Sequence, residues 1–494
     1  MFEPPRATRD ILPGQAAVRN RVRAAFVRAA EAYGFQEIQT PAFERLELFS
    51  ARSGPEIKSS MLTFHCDHEE FALRPEITAP VCRLMSSGAF DGVEKPHKLY
   101  YVGSCFRYCR PQPGRYREFT QAGLECVGAS GPGVDAEIIA LACRVLGTIG
   151  VPKFALKIGN IGIFRDLLPE SLSREDRSVV IGHLDRLMSI DEKCRVLASG
   201  PDDSALDDLK LDDLKLDDLK VDRMELAKLQ AETDYEGPEA IHGRPHLDAG
   251  EYAERLPIEA EATFRHLWQA EDLVPAGTAE LLLRASRLRG PLDVVREQAR
   301  ELLADTRAMP ALEELMDVCR HVGMYGVGEF EVVLGIARGF TFYTSTVFEI
   351  SSAPGDGGHK YCGGGRYDRL VELFGGPAMP SSGCAFRFDD LVESFLTAND
   401  WSAPLPYQLF LLADSDQTLG AAVGIAEKLR AGGARVGLAA GALDQVSRAD
   451  LRQRKTERIG LITADGLKRG VIRISDGTAL VEQSLESIDL EPRA

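Results

Sequence analysis

Four arginines crowd one short stretch of the chain, FRYCRPQPGRYREF at 106–119. Guanidinium groups bind phosphate oxygens in pairs and keep their charge at physiological pH. The interleaved aromatic residues suit stacking against a planar ring; they are Phe106, Tyr108, Tyr116 and Phe119. The stretch predicts that Arg107 and Arg115 grip a phosphate, whereas the plainer interpretation is a solvated hairpin whose arginines pair with surface acids.

Acidic side chains occur in apolar surroundings close to this stretch. Gln121 and Glu125 lie four residues apart on a predicted strand, so both side chains project to one face. Glu76, in LRPEITA, lies at a predicted strand end. A buried carboxylate is costly unless it is paired, and its natural partner here is a ligand ammonium or imidazolium. The alternative is an ion pair with an arginine of the chain.

A cation occupies a similar setting further along, where Arg338 lies in IARGFTFYT. A ligand carboxylate would suit it, and Thr78 and Tyr343 add hydroxyl groups. Two buried acids with one buried base fit a zwitterionic amino acid that carries a second basic group.

The bulk composition is that of a globular protein outside the membrane. The chain has 494 residues, 44% of them hydrophobic and 27% charged, and a formal net charge of -17. Such acidity argues against a general nucleic-acid coat but leaves room for a local basic cleft. No apolar run reaches bilayer length and the N-terminus lacks a signal pattern, so we expect a cytoplasmic protein. The ten cysteines show no CxxC pair, which predicts free buried thiols and no metal site.

The elements that must position these residues follow from hydrophobic periodicity. We expect helices at 16–35 and 135–151, a strand entering a helix at 71–85, and strands at 36–43, 98–110, 116–128, 153–164 and 331–350. The PQPG turn between 110 and 116 predicts a long antiparallel hairpin. We expect CGGG, within 359–376, to form a turn that leads into a helix.

Composition divides the chain into a long body and a small second domain. We expect residues 1–400 to form an α+β body, an antiparallel sheet with flanking helices. The segment 170–325 reads as a helical insert, and the acidic repeat LDDLKLDDLKLDDLK lies within it at 206–220. Strand and helix patterns then alternate over 401–494, which predicts a small α/β domain.

Taken together, these stretches resemble the histidyl-tRNA synthetases, which have the class II aminoacyl-tRNA synthetase fold, over nearly the whole chain. The matching stretches are PPRATRDILP (4–13), FQEIQTP (35–41), LRPEITAP (73–80), FRYCRPQPGRYREFTQAGLE (106–125), ARGFTFYTSTVFE (337–349) and CGGGRYDRL (362–370). In that order, they resemble the family's N-terminal segment, its first motif, its substrate loop, its second motif and its two histidine-specific motifs. The small C-terminal domain is similar to the family's anticodon-binding domain.

The resemblance implies a role for each matching residue. The histidine-binding positions are Glu76, Thr78, Gln121, Glu125, Arg338 and Tyr343. Either Tyr361 or Tyr367 would close that site. The positions that grip the α-phosphate and stack adenine are Arg107, Arg115 and Phe119. If the chain is a synthetase, Arg338 is its catalytic candidate and it uses ATP and Mg.

The departures from the family pattern concentrate at positions that, in the family, contact the nucleotide. Cys109 replaces a glutamate that reads the adenine amino group, and Thr341 and Phe342 replace an acid and a tyrosine. In SSGCAFRFDDL at 381–391, Arg387 stands at a glycine position, and Asp390 replaces the arginine that clamps the ATP γ-phosphate. An acid there repels triphosphate.

An alternative alignment makes Arg387 itself the clamp. We expect this alignment to be wrong, because it would place Arg387 on a different helical face from Gly383.

Three functions follow from this pattern. The first is a non-catalytic regulatory subunit of ATP phosphoribosyltransferase, in the first step of L-histidine biosynthesis. It would bind L-histidine for feedback, need no cofactor, and pair a homodimeric core with the short catalytic subunit. That family usually lacks the anticodon-binding-like domain that this chain carries. The alternative is a working histidine–tRNA ligase acting on tRNA-His, and the third is a sensor of uncharged tRNA.

Overall fold

The computed structural model describes most of the chain. The described residues are 3–50, 60–109, 116–151, 153–198, 273–336, 342–353, 359–398, 406–441, 456–479 and 481–485, with the single positions 261, 264, 265, 268, 451 and 488. The acidic repeat at 206–220 lies outside them. Two compact units divide the chain, Met1–Asp400 and Trp401–Ala494.

A large sheet forms the centre of the first unit. Over the described residues its strand order is β1-β5-β6-β12-β11-β10-β7-β9-β8. The strands of the unit are β1 Gln36–Glu37, β2 Phe43–Arg45, β3 Thr63–Cys66, β4 Glu69–Leu73, β5 His97–Phe106, β6 Glu118–Val127, β7 Phe154–Asn160, β8 Arg289–Gly290, β9 Glu331–Val333, β10 Thr346–Ser352, β11 Lys360–Arg366 and β12 Ser381–Arg387. From β5 to β7 every neighbouring pair is antiparallel, which confirms the predicted α+β sheet.

Helices cover this sheet and frame its functional face. They are α1 Pro13–Ala32, α2 Leu46–Ser50, α3 Thr78–Ser86, α4 Pro132–Ile149, α5 Gly162–Leu167, α6 Arg174–Ala198, α7 Ala276–Arg287, α8 Leu292–Leu302, α9 Met309–Met324, α10 Leu370–Leu373 and α11 Phe388–Ala398. Helix α4 buries Ile138, Leu141 and Val145 and ends at Gly150, which adopts a left-handed conformation with φ of 91°. That apolar stripe anchors the sheet beneath the site.

Strands β5 and β6 pair antiparallel, as the predicted hairpin requires, and its PQPG turn lies outside the described residues. His97 pairs with Val127 at one end and Phe106 with Glu118 at the other. Because side chains alternate along a strand, this register places Gln121 and Glu125 on one face, beside the first turn of α3.

The turn expected at CGGG is wrong. These residues belong to β11, which is hydrogen-bonded between β10 and β12. A Cβ on Gly364 would lie 2.2 Å from the carbonyl oxygen of Gly383, and one on Gly365 would lie 2.3 Å from that of Thr346. The glycines therefore permit a close approach of strands, which the sequence pattern alone does not distinguish from a turn.

Two smaller sheets complete the described structure. In the first unit, β4 lies between β2 and β3 in an antiparallel sheet. The second unit comprises β13 Tyr407–Ala413, α12 Asp416–Ala431, β14 Val436–Ala440, β15 Thr456–Ile462, α13 Ala464–Arg469, β16 Val471–Ser475 and β17 Val481–Ser484. Its strands β14, β13 and β15 are parallel, as the alternating pattern predicts, and β16 and β17 add antiparallel strands. A search of the described helices finds none with the length and hydropathy of a membrane span.

Candidate functional site

Glu125 lies at the centre of the candidate site, in a cage of hydroxyl groups. Its side chain is 1% exposed. Thr78 Oγ1 donates to Glu125 Oε1 at 2.8 Å, Tyr101 Oη donates to the same oxygen at 3.1 Å, and the Tyr367 hydroxyl donates to Oε2. Burial raises the pKa of the Glu125 carboxyl to about 8, against the opposing effect of these hydroxyls. We call these four residues the Glu125 cage.

Glycines on neighbouring strands make room for the cage. A Cβ at Gly383 on β12 would lie 1.9 Å from Glu125 Oε2, so only glycine fits beside the carboxylate. A Cβ at Gly123 on β6 would lie 2.3 Å from the Tyr101 hydroxyl. The ring of Tyr101 therefore lies across β6 and brings its hydroxyl to Glu125. These glycines of the strand backbone leave the space that the Glu125 carboxylate and the Tyr101 ring occupy.

Glu76 is a second buried acid, at the start of α3. The backbone N–H of Ala79 donates to its two carboxylate oxygens at 3.0 and 3.3 Å. Glu76 therefore accepts a free N–H of the first turn of α3, a structural role that its place in the sequence does not indicate. Burial raises the pKa of Glu76, and the Ala79 N–H and the positive charge of Arg107 oppose that effect. Thr78 forms hydrogen bonds with both acids, so the two carboxylates flank one side chain.

Gln121 joins α3 to the hairpin. Its Oε1 accepts a hydrogen bond from the backbone N–H of Ile77 at 2.9 Å and another from Cys105 Sγ at 3.4 Å. The side chain is 8% exposed. Both acceptor positions of the amide oxygen are therefore occupied by groups of the protein.

Arg107 lies just beyond these residues, at the end of β5. Its Nε donates to the carbonyl of Pro75 at 2.9 Å, and its guanidinium carbon lies 5.4 Å from the centre of the Phe119 ring. Burial lowers the pKa of this guanidinium. Arg107 and Phe119 are thus adjacent, as a phosphate-gripping and base-stacking pair requires, whereas Arg115 lies outside the described residues.

The aromatic residues divide between two places. Phe342 and Tyr343 pack beside the apolar cluster under α3, with the Phe342 ring 6.0 Å from that of Tyr367. Tyr361 accepts a hydrogen bond from Ser394 Oγ of α11 at 3.0 Å. Of the two tyrosines proposed to close the site, Tyr367 contacts Glu125. Arg338 and Thr341 lie outside the described residues.

An ion pair occupies the position where the resemblance places the γ-phosphate clamp. Strand β12 ends at Arg387 and α11 begins at Phe388. Arg387 Nε lies 3.1 Å from Asp390 Oδ2, with Arg387 half exposed and Asp390 largely buried. Burial raises the pKa of Asp390, and the adjacent Arg387 opposes that effect. The charges of this pair cancel, where a lone arginine would present a net positive charge.

The expectation that Arg387 and Gly383 lie on different helical faces is wrong. Both residues belong to β12, and their spacing of four places them on the same face of the sheet. Arg387 also acts electrostatically on Arg107. Arg387 thus lies on the same side of the candidate site as Arg107, and its pairing with Asp390 offsets its charge.

Asp389, next to this pair, has a structural role that sequence reasoning missed. It accepts hydrogen bonds from Arg9 at 2.6 Å, from Arg19 at 2.5 Å and from the backbone N–H of Thr120 at 3.1 Å. These contacts tie the N-terminal segment, α1 and β6 to the first turn of α11. The adjacent aspartates of SSGCAFRFDDL therefore have different roles, and Asp389 fixes the backbone on which Asp390 is presented.

A buried ion pair fixes the backbone beside Tyr367, and sequence reasoning did not single it out. Arg366 donates to Asp135 of α4 at 2.7 and 3.1 Å and to Asp368 at 3.0 Å. The Arg366 side chain is 3% exposed. Because this network holds both neighbours of Tyr367, it positions that hydroxyl at Glu125.

The described residues contain no cluster of three or more His, Cys, Asp or Glu side chains that could hold a metal ion. All ten cysteines are free thiols, and eight of them are buried, as the sequence pattern predicts.

Comparisons with known proteins show which family the chain belongs to. The family model described as histidyl-tRNA synthetase matches residues 7–231 and 253–391. The histidine–tRNA ligase of Archaeoglobus fulgidus is 34% identical over 395 residues, which cover 80% of this chain and 76% of the relative. That of Methanococcus maripaludis strain C7 is 30% identical over 478 residues, covering 96% and 92%.

Solved structures share the fold. The histidyl-tRNA synthetase from Nostoc sp. PCC 7120 matches with a TM-score of 0.67 at 20% identity and covers 98% of this chain and 97% of its own. An ATP phosphoribosyltransferase regulatory subunit/histidyl-tRNA synthetase from Bacillus halodurans matches with a TM-score of 0.65 at 22% identity, covering 94% and 99%. The chain belongs to the histidyl-tRNA synthetase family, and its first unit has the class II fold that the motifs predict.

Proposed function

We propose that this chain binds L-histidine without activating it and acts as the regulatory subunit of ATP phosphoribosyltransferase. The observation that carries the proposal is the Arg387–Asp390 ion pair, an acid where the family resemblance places the phosphate clamp. The Glu125 cage supports binding of an amino acid, whereas the Arg387–Asp390 pair adds no net positive charge for a distal phosphate.

The Glu125 cage suits a cationic ligand. Its donors are all hydroxyl groups, so no partner within the cage supplies a positive charge. An imidazolium or ammonium group would supply that charge and would restore the ionised form of a carboxyl whose pKa is raised to about 8. Glu76 offers a second carboxylate beside it, so the arrangement fits an amino acid with two basic groups.

The nucleotide side fits ATP only in part. Arg107 and Phe119 retain the arrangement that suits a phosphate and an aromatic base. Asp390 does not fit a triphosphate, because a carboxylate repels the phosphate that an arginine would attract. Losing one charge-assisted contact costs about 2–3 kcal/mol, before any repulsion is added. We therefore derive no adenylation step for this chain.

The partner in this proposal is the short catalytic subunit of ATP phosphoribosyltransferase, bound to a homodimer of this chain. The test is to mix both purified proteins and assay phosphoribosyl transfer with and without L-histidine. We expect inhibition by histidine only when this chain is present, and loss of that inhibition in Glu125→Gln. An unchanged rate in every combination, with no complex on gel filtration, would contradict the proposal.

A second function has its own support. The Methanococcus maripaludis relative named histidine–tRNA ligase covers 96% of this chain, and the match therefore extends into the second unit. In that function the chain would use ATP and Mg and would charge tRNA-His. Aminoacylation of a tRNA-His transcript by the pure protein would favour the ligase over the regulatory subunit.

A further inference from the structure

The oxygen of the Gln121 side-chain amide is hydrogen-bonded to the protein, whereas its nitrogen is left for a ligand. Its Oε1 accepts from Ile77 N–H at 2.9 Å and from Cys105 Sγ at 3.4 Å. No residue of the described part of the chain accepts a hydrogen bond from its Nε2, and that atom is not among the fully buried unpaired polar atoms. The two donor hydrogens of Nε2 are therefore available to a bound molecule.

Cys105 donates its thiol hydrogen to the Gln121 amide oxygen in this contact. Its side chain is fully buried on β5, in the apolar cluster under α3. Burial raises the pKa of the thiol to about 12, so the thiol keeps its proton. The opposite amide orientation would direct the Gln121 NH₂ group at the Ile77 N–H, leaving that buried backbone donor without an acceptor. The Ile77 N–H therefore sets the orientation of the amide, and the Cys105 S–H adds a second hydrogen bond to the same oxygen.

The ligand group that faces Nε2 must be a hydrogen-bond acceptor. In a histidine molecule the ammonium and the ring are the groups that the carboxylates of Glu76 and Glu125 attract, which leaves the α-carboxylate as the strong acceptor. Gln121 lies close to both acids. Its Oε1 accepts a hydrogen bond from Ile77, the residue that follows Glu76, and Glu125 lies four positions further along the strand of Gln121.

We propose that Cys105 is a positioning residue, whose thiol holds the Gln121 amide with Nε2 directed at the carboxylate of the bound amino acid. This inference rests on the proposed histidine binding and deepens it. It assigns a ligand-selecting role to a buried thiol of β5.

The test compares two ligands on four proteins by isothermal titration calorimetry. L-histidine carries the carboxylate, and L-histidinol has an alcohol in its place. We expect Cys105→Ala to weaken histidine binding about fivefold and to leave histidinol binding within about twofold of wild type. Cys105→Ser, which keeps a donor, should retain histidine affinity. Cys126→Ala removes a buried thiol on the strand of Glu125 and serves as the matched control, with no change for either ligand.

A double variant with Gln121→Ala completes the test. If Cys105 acts through Gln121, then adding Cys105→Ala to Gln121→Ala causes no further loss of histidine affinity. Equal losses for both ligands, additive losses in the double variant, or an unchanged Cys105→Ala protein would overturn the inference while leaving histidine binding in place. Absence of histidine binding by the wild-type protein would overturn both the inference and the proposed function.

Discussion

Replacing Glu125 with glutamine should change how the stability of the protein depends on pH. The carboxyl has a pKa of about 8 in the folded chain, against 4.5 for an ordinary glutamate. Above pH 4.5 the unfolded chain therefore loses a proton that the folded chain keeps, and stability falls as pH rises towards 8. Between pH 5.5 and 7.5 this linkage removes roughly 2.5 kcal/mol from the free energy of unfolding.

The assay is urea denaturation of the ligand-free protein at several pH values, read as the difference between wild type and Glu125→Gln. All other groups titrate in both proteins, so the difference isolates Glu125. We expect it to change by roughly 2.5 kcal/mol across that window, with the wild type losing more stability. Glu118→Gln, an exposed acid at the start of the same strand, is the control and should track the wild type. Parallel curves for wild type and Glu125→Gln would refute the reasoning.

Four further changes have defined outcomes. Gly383→Ala should lower the free energy of unfolding by roughly 1–3 kcal/mol in urea and abolish histidine binding by calorimetry, because its Cβ would lie 1.9 Å from Glu125 Oε2. Tyr101→Phe should weaken histidine binding about fivefold in the same titration, because the carboxylate loses a donor. Arg366→Ala should lower the free energy of unfolding by about 3–5 kcal/mol, because it leaves a buried acid unpaired. His183 has a pKa lowered to about 4 by burial, so stability should fall as pH drops from 6.5 towards 4, and His183→Gln should flatten that slope in thermal unfolding curves.

The sequence predicts part of the arrangement around Glu125, because polar residues in apolar strands are informative. Glu125 and Gln121 share a face on β6, as their spacing predicts, and Thr78 meets Glu125 at the start of α3. Tyr101 was missed, since a tyrosine in the apolar run KLYYV reads as core until its position across Gly123 is known. Which hydroxyl group pairs with a buried acid depends on tertiary contacts, and local sequence spacing does not encode these.

Each difference between expectation and structure has its own physical cause. The CGGG pattern indicates a turn because glycine weakens strands, yet close neighbours on both sides of β11 leave no room for side chains. Arg387 and Gly383 share one face because β12 continues to Arg387 and α11 begins only at Phe388. Asp389 and Asp390 look equivalent in sequence, and only the contacts with Arg9, Arg19 and Thr120 distinguish them.

Histidine-dependent exchange between ATP and pyrophosphate reports whether this chain can activate histidine. It should be measured on the wild type and on the double variant Arg387→Gly with Asp390→Arg, which restores the family pattern. We expect no exchange by the wild type, although histidine stabilises it against heat, and measurable exchange by the double variant. Robust exchange by the wild-type protein would contradict the claim that the Arg387–Asp390 pair denies a triphosphate its clamp.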